Sequence, residues 1–204
     1  MSLLLAAYGG HTEAQTRHTD PEKTLKELFW GDLYAKGGTT LFCSQDFEKK
    51  SITIKEGYIY ESSWIREKLD CGTSSKCRTN APDYRRMISD MHNIFPSTMS
   101  FELARGSSRF AEIGADGLAG ECETRKAYGV IEPQDTAKGI IARATLYMME
   151  AYKLPAPSSI DTLIDWCKRF PPDDAEKARN NLIEKLQGNR NLFIDKPSRA
   201  DQMR

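Results

Sequence analysis

The chain has only three histidines, His11, His18 and His92, and none between the last two. A histidine general base is therefore excluded from residues 19–91. Charge of one sign is also missing: 29 Lys and Arg balance 29 Asp and Glu. A net charge near zero excludes a global field for polyanions, so any nucleic-acid site has to come from local clusters of basic residues. No apolar run is long enough to span a membrane as a helix. There are no internal repeats and no low-complexity linker. Zinc-knuckle spacing is absent too, because the gap between Cys71 and Cys77 is wide and no second Cys/His pair follows nearby.

What remains is an ordinary globular composition, 39% apolar and 28% charged over 204 residues, enough for one domain with a proper core. Asp20-Pro21 predicts a helix start, with Leu25, Leu28, Phe29 and Leu33 on one face and Gly37-Gly38 as the stop. Thr39–Phe42 and Ser51–Tyr60 have strand content, the latter with Ile52, Ile54, Tyr58 and Tyr60 alternating. A short helix is expected around Trp64–Leu69 and another over Tyr84–Met91, after which Ile94-Phe95-Pro96 turns the chain. The second half reads as largely helical. One helix opens at Glu132-Pro133 and carries Ile140, Ile141, Ala144, Met148 and Tyr152. A second is capped by Ser158 or Ser159, and a third by Asp173 or Asp174, with Ala178, Leu182 and Leu186 inward and Gly188 closing it. The fold class is α+β, mostly helical. Residues 20–204 form a single domain, and residues 1–19 a flexible lead-in or signal-peptide remnant.

The five cysteines divide by setting. Cys71 and Cys77 bracket a polar loop of the kind a disulfide pins. Cys43 and Cys122 lie in turns and are free to pair with each other. Cys167, beside Trp166 on an apolar helix face, reads as a buried thiol. Disulfides imply an oxidising compartment.

Several boxes, in order, resemble one known family. Met87–Pro96 is similar to M-x-A-D-L-H-N-L-x-P, and Ala104–Ile113 to A-R-S-N-R-P-F-G-E-I. Lys138–Arg143 with Leu146-Tyr147-Met148 looks like R-G-x-I-A-R-x-x-x-Y-M, and Gln187–Asp195 like Q-G-N-R-N-P-F-I-D. Phe29–Tyr34 and Leu41–Cys43 also have counterparts. These are boxes of the endonuclease I family of secreted or periplasmic nonspecific nucleases. The resemblance implies a ββα-metal core, cleavage of DNA or RNA without base preference, Mg²⁺ or another divalent cation as cofactor, a monomer, and no membrane association.

The same resemblance exposes a departure. The family carries E-H-V-Y-P-x-S-W, in which His activates water and Glu, with a later Asn, holds the ion. Here Ser63-Trp64 aligns Gly57 with the Glu, Tyr58 with the His and Glu61 with the Pro, and Ala104-Arg105 aligns Glu102 with the Asn. Gly57 offers no ligand, and Tyr58 is a poor base near neutral pH or simply a strand tyrosine packing one face, while Glu102 is either a ligand for Mg²⁺ or Ca²⁺ or a surface or salt-bridged carboxylate. Two readings follow: a nuclease with an unusual or impaired site, or a pseudo-nuclease serving as a nucleic-acid-binding or protein-interaction module. His92 is either a relocated base or a hydrogen-bonded turn histidine. Arg105, Arg109 and Arg143 are candidates for phosphate contacts or for ion pairs with Glu112, Glu123 or Glu132. Lys76 and Arg78, with Arg85 and Arg86, are candidates for the nucleic-acid backbone or for solvated surface.

Overall fold

A computed structural model describes residues 15–204. In chain order these residues form helix α1 (Pro21–Lys23), which runs into a π-helical stretch Thr24–Leu33, then strands β1 (Gly38–Thr39), β2 (Asp46–Phe47) and β3 (Ile54–Tyr58). Helices α2 (Ser62–Leu69), α3 (Ser74–Asn80) and α4 (Pro82–Ile88) lead to strand β4 (Ile94–Thr98) and helix α5 (Met99–Arg105). Four short strands follow, β5 (Arg109–Phe110), β6 (Leu118–Ala119), β7 (Arg125–Ala127) and β8 (Val130–Glu132). Helices α6 (Asp135–Tyr152), α7 (Ile160–Arg169), α8 (Asp174–Gln187) and α9 (Leu192–Asp195) complete an α+β, mostly helical fold.

The unit that organises the rest is β3–β4–α5. The strands pair antiparallel from Ile54 opposite Thr98 to Tyr58 opposite Ile94. Thr98 ends β4 and caps α5 by accepting the Phe101 N–H at 3.2 Å, so the helix starts with no loop between. Ile94-Phe95-Pro96, expected to turn the chain, is instead the first part of the buried strand β4. Proline is tolerated there because residue 96 faces away from β3: its carbonyl accepts Leu41 N–H at 3.0 Å, so the missing N–H breaks no ladder bond.

Other differences have similarly local causes. The first helix is wound i→i+5, with Tyr34 N–H on the Phe29 carbonyl at 2.9 Å, and only Thr24 and Phe29 on that stretch are buried. Strand β3 begins at Ile54, leaving Ile52 84% exposed. Residues 109–132, expected among helices, form a four-stranded sheet in the order β5-β8-β7-β6. Its strands are too short to leave a period in the sequence. A Tyr128-Gly129 turn, with φ of 42° and 77°, makes the β7–β8 hairpin. Residues 15–19, placed in the lead-in, are docked: Thr16 is buried, Gln15 donates to the Ala151 carbonyl, and His18 bonds the Leu186 carbonyl. The rest of that lead-in, 1–14, lies outside the described residues.

Helix α6 is the core, buried on nearly all sides and packed by α7 and α9. Helix α8 is different. Its buried face is Glu176, Asn180, Ile183 and Gln187; of the expected Ala178, Leu182 and Leu186, Ala178 is exposed, Leu182 is half-buried, and Leu186 packs against the cluster of Phe29, Met91, Ile94 and Ile183. Polar residues point in because they close a buried network. Asp90 accepts Tyr147 Oη at 2.5 Å, Tyr152 Oη at 2.6 Å, Gln187 Nε2 at 2.8 Å and His92 N at 3.0 Å. The Met87–Pro96, Lys138–Met148 and Gln187–Asp195 boxes thus meet in one place and are joined by hydrogen bonds.

Both disulfides form, Cys43–Cys122 and Cys71–Cys77, and Cys167 is a buried thiol whose pKa burial pushes up to about 12. No helix among the described residues is long and apolar enough to cross a membrane.

Candidate functional site

The end of β3 and the length of α5 bring together two of the positions at which the sequence departs from its family pattern, Gly57 and Glu102. Gly57 is buried on β3, and a Cβ added there would lie 3.0 Å from Glu102 Cδ and 3.0 Å from Ser97 Cβ, in collision with the Glu102 carboxylate. Its φ is not in the left-handed region, so glycine is required here for space and not for backbone conformation. Glu102 reaches from α5 into the volume that a side chain at 57 would fill. Glu102 Oε1 is buried and accepts no hydrogen bond among the described residues.

Arg105, one turn along α5, points inward and is fully buried. Its guanidinium donates to the Tyr58 carbonyl at 2.8 Å and the Ile59 carbonyl at 3.2 Å. It pairs with Glu61 at 2.8 Å and stands 3.7 Å from Glu102. The ring of Phe110 lies 4.7 Å from its centre. Burial raises the Glu61 pKa above the ordinary carboxylate value, Arg105 opposes that rise, and the neighbouring Glu102 adds to it. Among the sequence-predicted residues, then, Gly57, Glu102 and Arg105 are neighbours. Glu61, not predicted as a site residue, completes the group; the signal for it was a carboxylate where the pattern has proline.

The candidate bases are elsewhere. The Tyr58 phenol lies on the other face of β3 and donates to the Ile88 carbonyl at 3.3 Å. Burial, followed by the charge of Glu56, pushes its pKa further up. His92 is buried, edge-on to Tyr147, with Nε2 3.2 Å from the Asn189 carbonyl. A carbonyl only accepts, so the proton sits on Nε2. Nδ1 is left buried, with no hydrogen-bond partner among the described residues. Burial lowers the His92 pKa to about 4.

The remaining cations differ in kind. Arg143 is buried and held as a fork by Glu176, Nε to Oε1 at 2.8 Å and Nη2 to Oε2 at 2.5 Å, with Nη1 on the Phe170 carbonyl. No edge of that guanidinium is left for a phosphate. Glu112 and Glu132, the carboxylates weighed as arginine partners, bind Lys138 instead, and Glu112 also binds Arg169. Arg109 is exposed, donates to the Pro157 carbonyl at 3.1 Å and lies over Trp64 beside a cavity that Lys68 also lines. Lys76 and Arg78 are exposed on α3, which the Cys71–Cys77 bridge holds.

Residues 14–198 match the family model described as Endonuclease I. The chain belongs to the endonuclease I family. It is 36% identical over 130 residues to a periplasmic deoxyribonuclease of Aeromonas hydrophila, a match covering 61% of this chain and 54% of that protein. An extracellular deoxyribonuclease of the same organism is 36% identical over 132 residues, 62% of this chain and 54% of its own length. An extracellular ribonuclease of Bacillus subtilis (strain 168) is 31% identical over 168 residues, 70% of this chain and 52% of its own. The chain spans about half the length of the curated relatives it matches.

Endonuclease I family nucleases are generally dependent on a divalent metal. The residues of this chain do not fit such an ion well. Position 57 supplies no donor, and the two carboxylates present, Glu61 and Glu102, flank a guanidinium that already carries positive charge into the site. No group of three or more His, Cys, Asp or Glu side chains that could hold a metal ion occurs among the described residues.

Proposed function

We propose that this protein keeps the endonuclease I scaffold as a module that engages the DNA or RNA backbone without base preference, and that it has lost phosphodiester hydrolysis. The observation that carries this reading is the direction of Tyr58. The residue aligned with the family's general base turns its phenol to the Ile88 carbonyl, and its pKa is raised rather than lowered. A general base is judged first by reach and then by pKa, and Tyr58 fails on both. His92, locked on Asn189, does not replace it.

Engagement of a nucleic acid is supported by the family and by exposed Arg109, Lys76 and Arg78 on a chain with no net charge. Such binding is local and weakens steeply with salt. The module acts as a monomer in a secreted or periplasmic setting, in keeping with its two disulfides and the periplasmic and extracellular relatives.

The test is digestion of plasmid and RNA with Mg²⁺, Mn²⁺ or Ca²⁺ against an EDTA control, with Glu102→Ala prepared identically. Anisotropy of labelled DNA and RNA at low and raised salt runs beside it. No cutting with salt-sensitive binding is expected. Metal-dependent cutting that disappears in Glu102→Ala overturns the reading, and cutting that persists there marks a contaminant. Folded protein that binds no nucleic acid at low salt points to a protein partner. Combining Gly57→Glu, Tyr58→His and Glu102→Asn is expected to create cleavage.

A further inference from the structure

Of the four positions that depart from the catalytic pattern, Tyr58 faces away, and the other three, 57, 61 and 102, lie on three separate elements: β3, the residue preceding α2, and α5. Independent decay would leave them unrelated. Instead they converge on Arg105. Gly57 vacates the volume that the Glu102 carboxylate occupies, and Glu61 and Glu102 approach the same guanidinium from two sides. Two backbone carbonyls, of Tyr58 and Ile59, complete an oxygen cage of two carboxylates and two carbonyls. Hard cations take such donor sets, and here the set is filled by a cation from the chain itself.

We infer that Glu61, Arg105 and Glu102 form a resident ion triad that substitutes for the divalent cation, with Gly57 as the coupled position that makes room for it. This deepens the reading of a silent site and rests on it only for its biological sense. Arg105 satisfies the end of β3 by holding the Tyr58 and Ile59 carbonyls, and the two carboxylates counter its charge inside the protein. The ββα unit therefore folds and stays folded without an ion.

Two measurements on the intact chain test this. The first is the melting temperature of the wild type with Mg²⁺, Mn²⁺ or Ca²⁺ against EDTA, alongside Glu102→Gln. A bound ion stabilises by mass action. No shift is expected, and a shift present in both proteins places the ion at other carboxylates and agrees with the triad. A shift in the wild type that Glu102→Gln abolishes overturns it. The second needs no ion: a cycle of Gly57→Ala, Glu102→Ala and the double variant. Gly57→Ala is expected to lower Tm by roughly 3–8 °C in the wild type and by clearly less in Glu102→Ala, where only Ser97 still crowds the new methyl group. Equal losses in both backgrounds overturn the coupling. An ion response that Glu102→Gln abolishes, without cleavage, would sink the triad and leave the silent reading; ion-independent cleavage lost in Glu102→Ala would do the reverse.

Discussion

Tyr147 donates its phenol to Asp90 Oδ2 at 2.5 Å, and Tyr152 reaches the same oxygen at 2.6 Å. One buried carboxylate thus ties the central helix to the residues just before β4, and Gln187 ties it again to the end of α8. Burial and then the Asp90 charge raise both tyrosine pKa values well above normal, so the phenols remain donors.

Asp90→Asn turns an amide N–H₂ toward at least one of these donors. It is expected to cost about 3 kcal/mol, whereas Tyr147→Phe costs about 1–2 kcal/mol because Tyr152 still serves the acceptor. Urea unfolding at neutral pH measures both, and equal small losses would mean that the network contributes little.

The His92 ring gives a pH signature. Its folded pKa is about 4 against an ordinary 6.5, so the folded state prefers the neutral ring. Stability from this group is complete above the unfolded value and is lost as pH falls from 6.5 toward 4, about 3 kcal/mol over the whole window. Unfolding free energies between pH 7 and pH 5 should fall in the wild type and be flatter in His92→Gln.

Arg143 and Arg109 should separate cleanly. Arg143→Ala leaves Glu176 buried and unpaired and is expected to cost about 3–5 kcal/mol, while Arg143→Lys loses the fork and costs roughly half of that. Neither should weaken nucleic-acid binding by protein that is still folded. Arg109→Ala should change Tm little and reduce both affinity and its salt dependence. Thermal melts and anisotropy on the same samples make the comparison.

The two disulfides should differ in weight. Cys43–Cys122 has a sequence separation of 79 and Cys71–Cys77 one of 6. Loop-closure entropy assigns about 4.5 kcal/mol to the first and about 2 kcal/mol to the second. Paired Cys→Ser variants, compared by urea unfolding, should keep that order.

Much of this was legible because local chemistry writes itself into neighbouring residues. Asp173 and Ser159 cap their helices, Gly188 ends α8 at φ 89°, and the cysteines pair as their settings allowed. Legibility failed where tertiary partners decide. Ala178 and Leu182 look like a buried stripe, yet Glu176 and Asn180 go inside because Arg143 and Asn191 await them. Pro96 looks like a turn unless one knows which way its carbonyl faces. At the site, the missing histidine was plain from the sequence alone. That Gly57, Glu61 and Glu102 answer one another through Arg105 was not, because no spacing rule joins a strand, a cap and a helix.

The crowding at Gly57 sets an order on change. A side chain introduced there meets the Glu102 carboxylate and the Ser97 Cβ, so a ligand regained at 57 requires the residue at 102 to move aside or to shorten. Until it does, a carboxylate added at 57 crowds the one at 102. The vacancy of one methyl group on β3 therefore works as a ratchet, holding the fold in its present form against stepwise reversal.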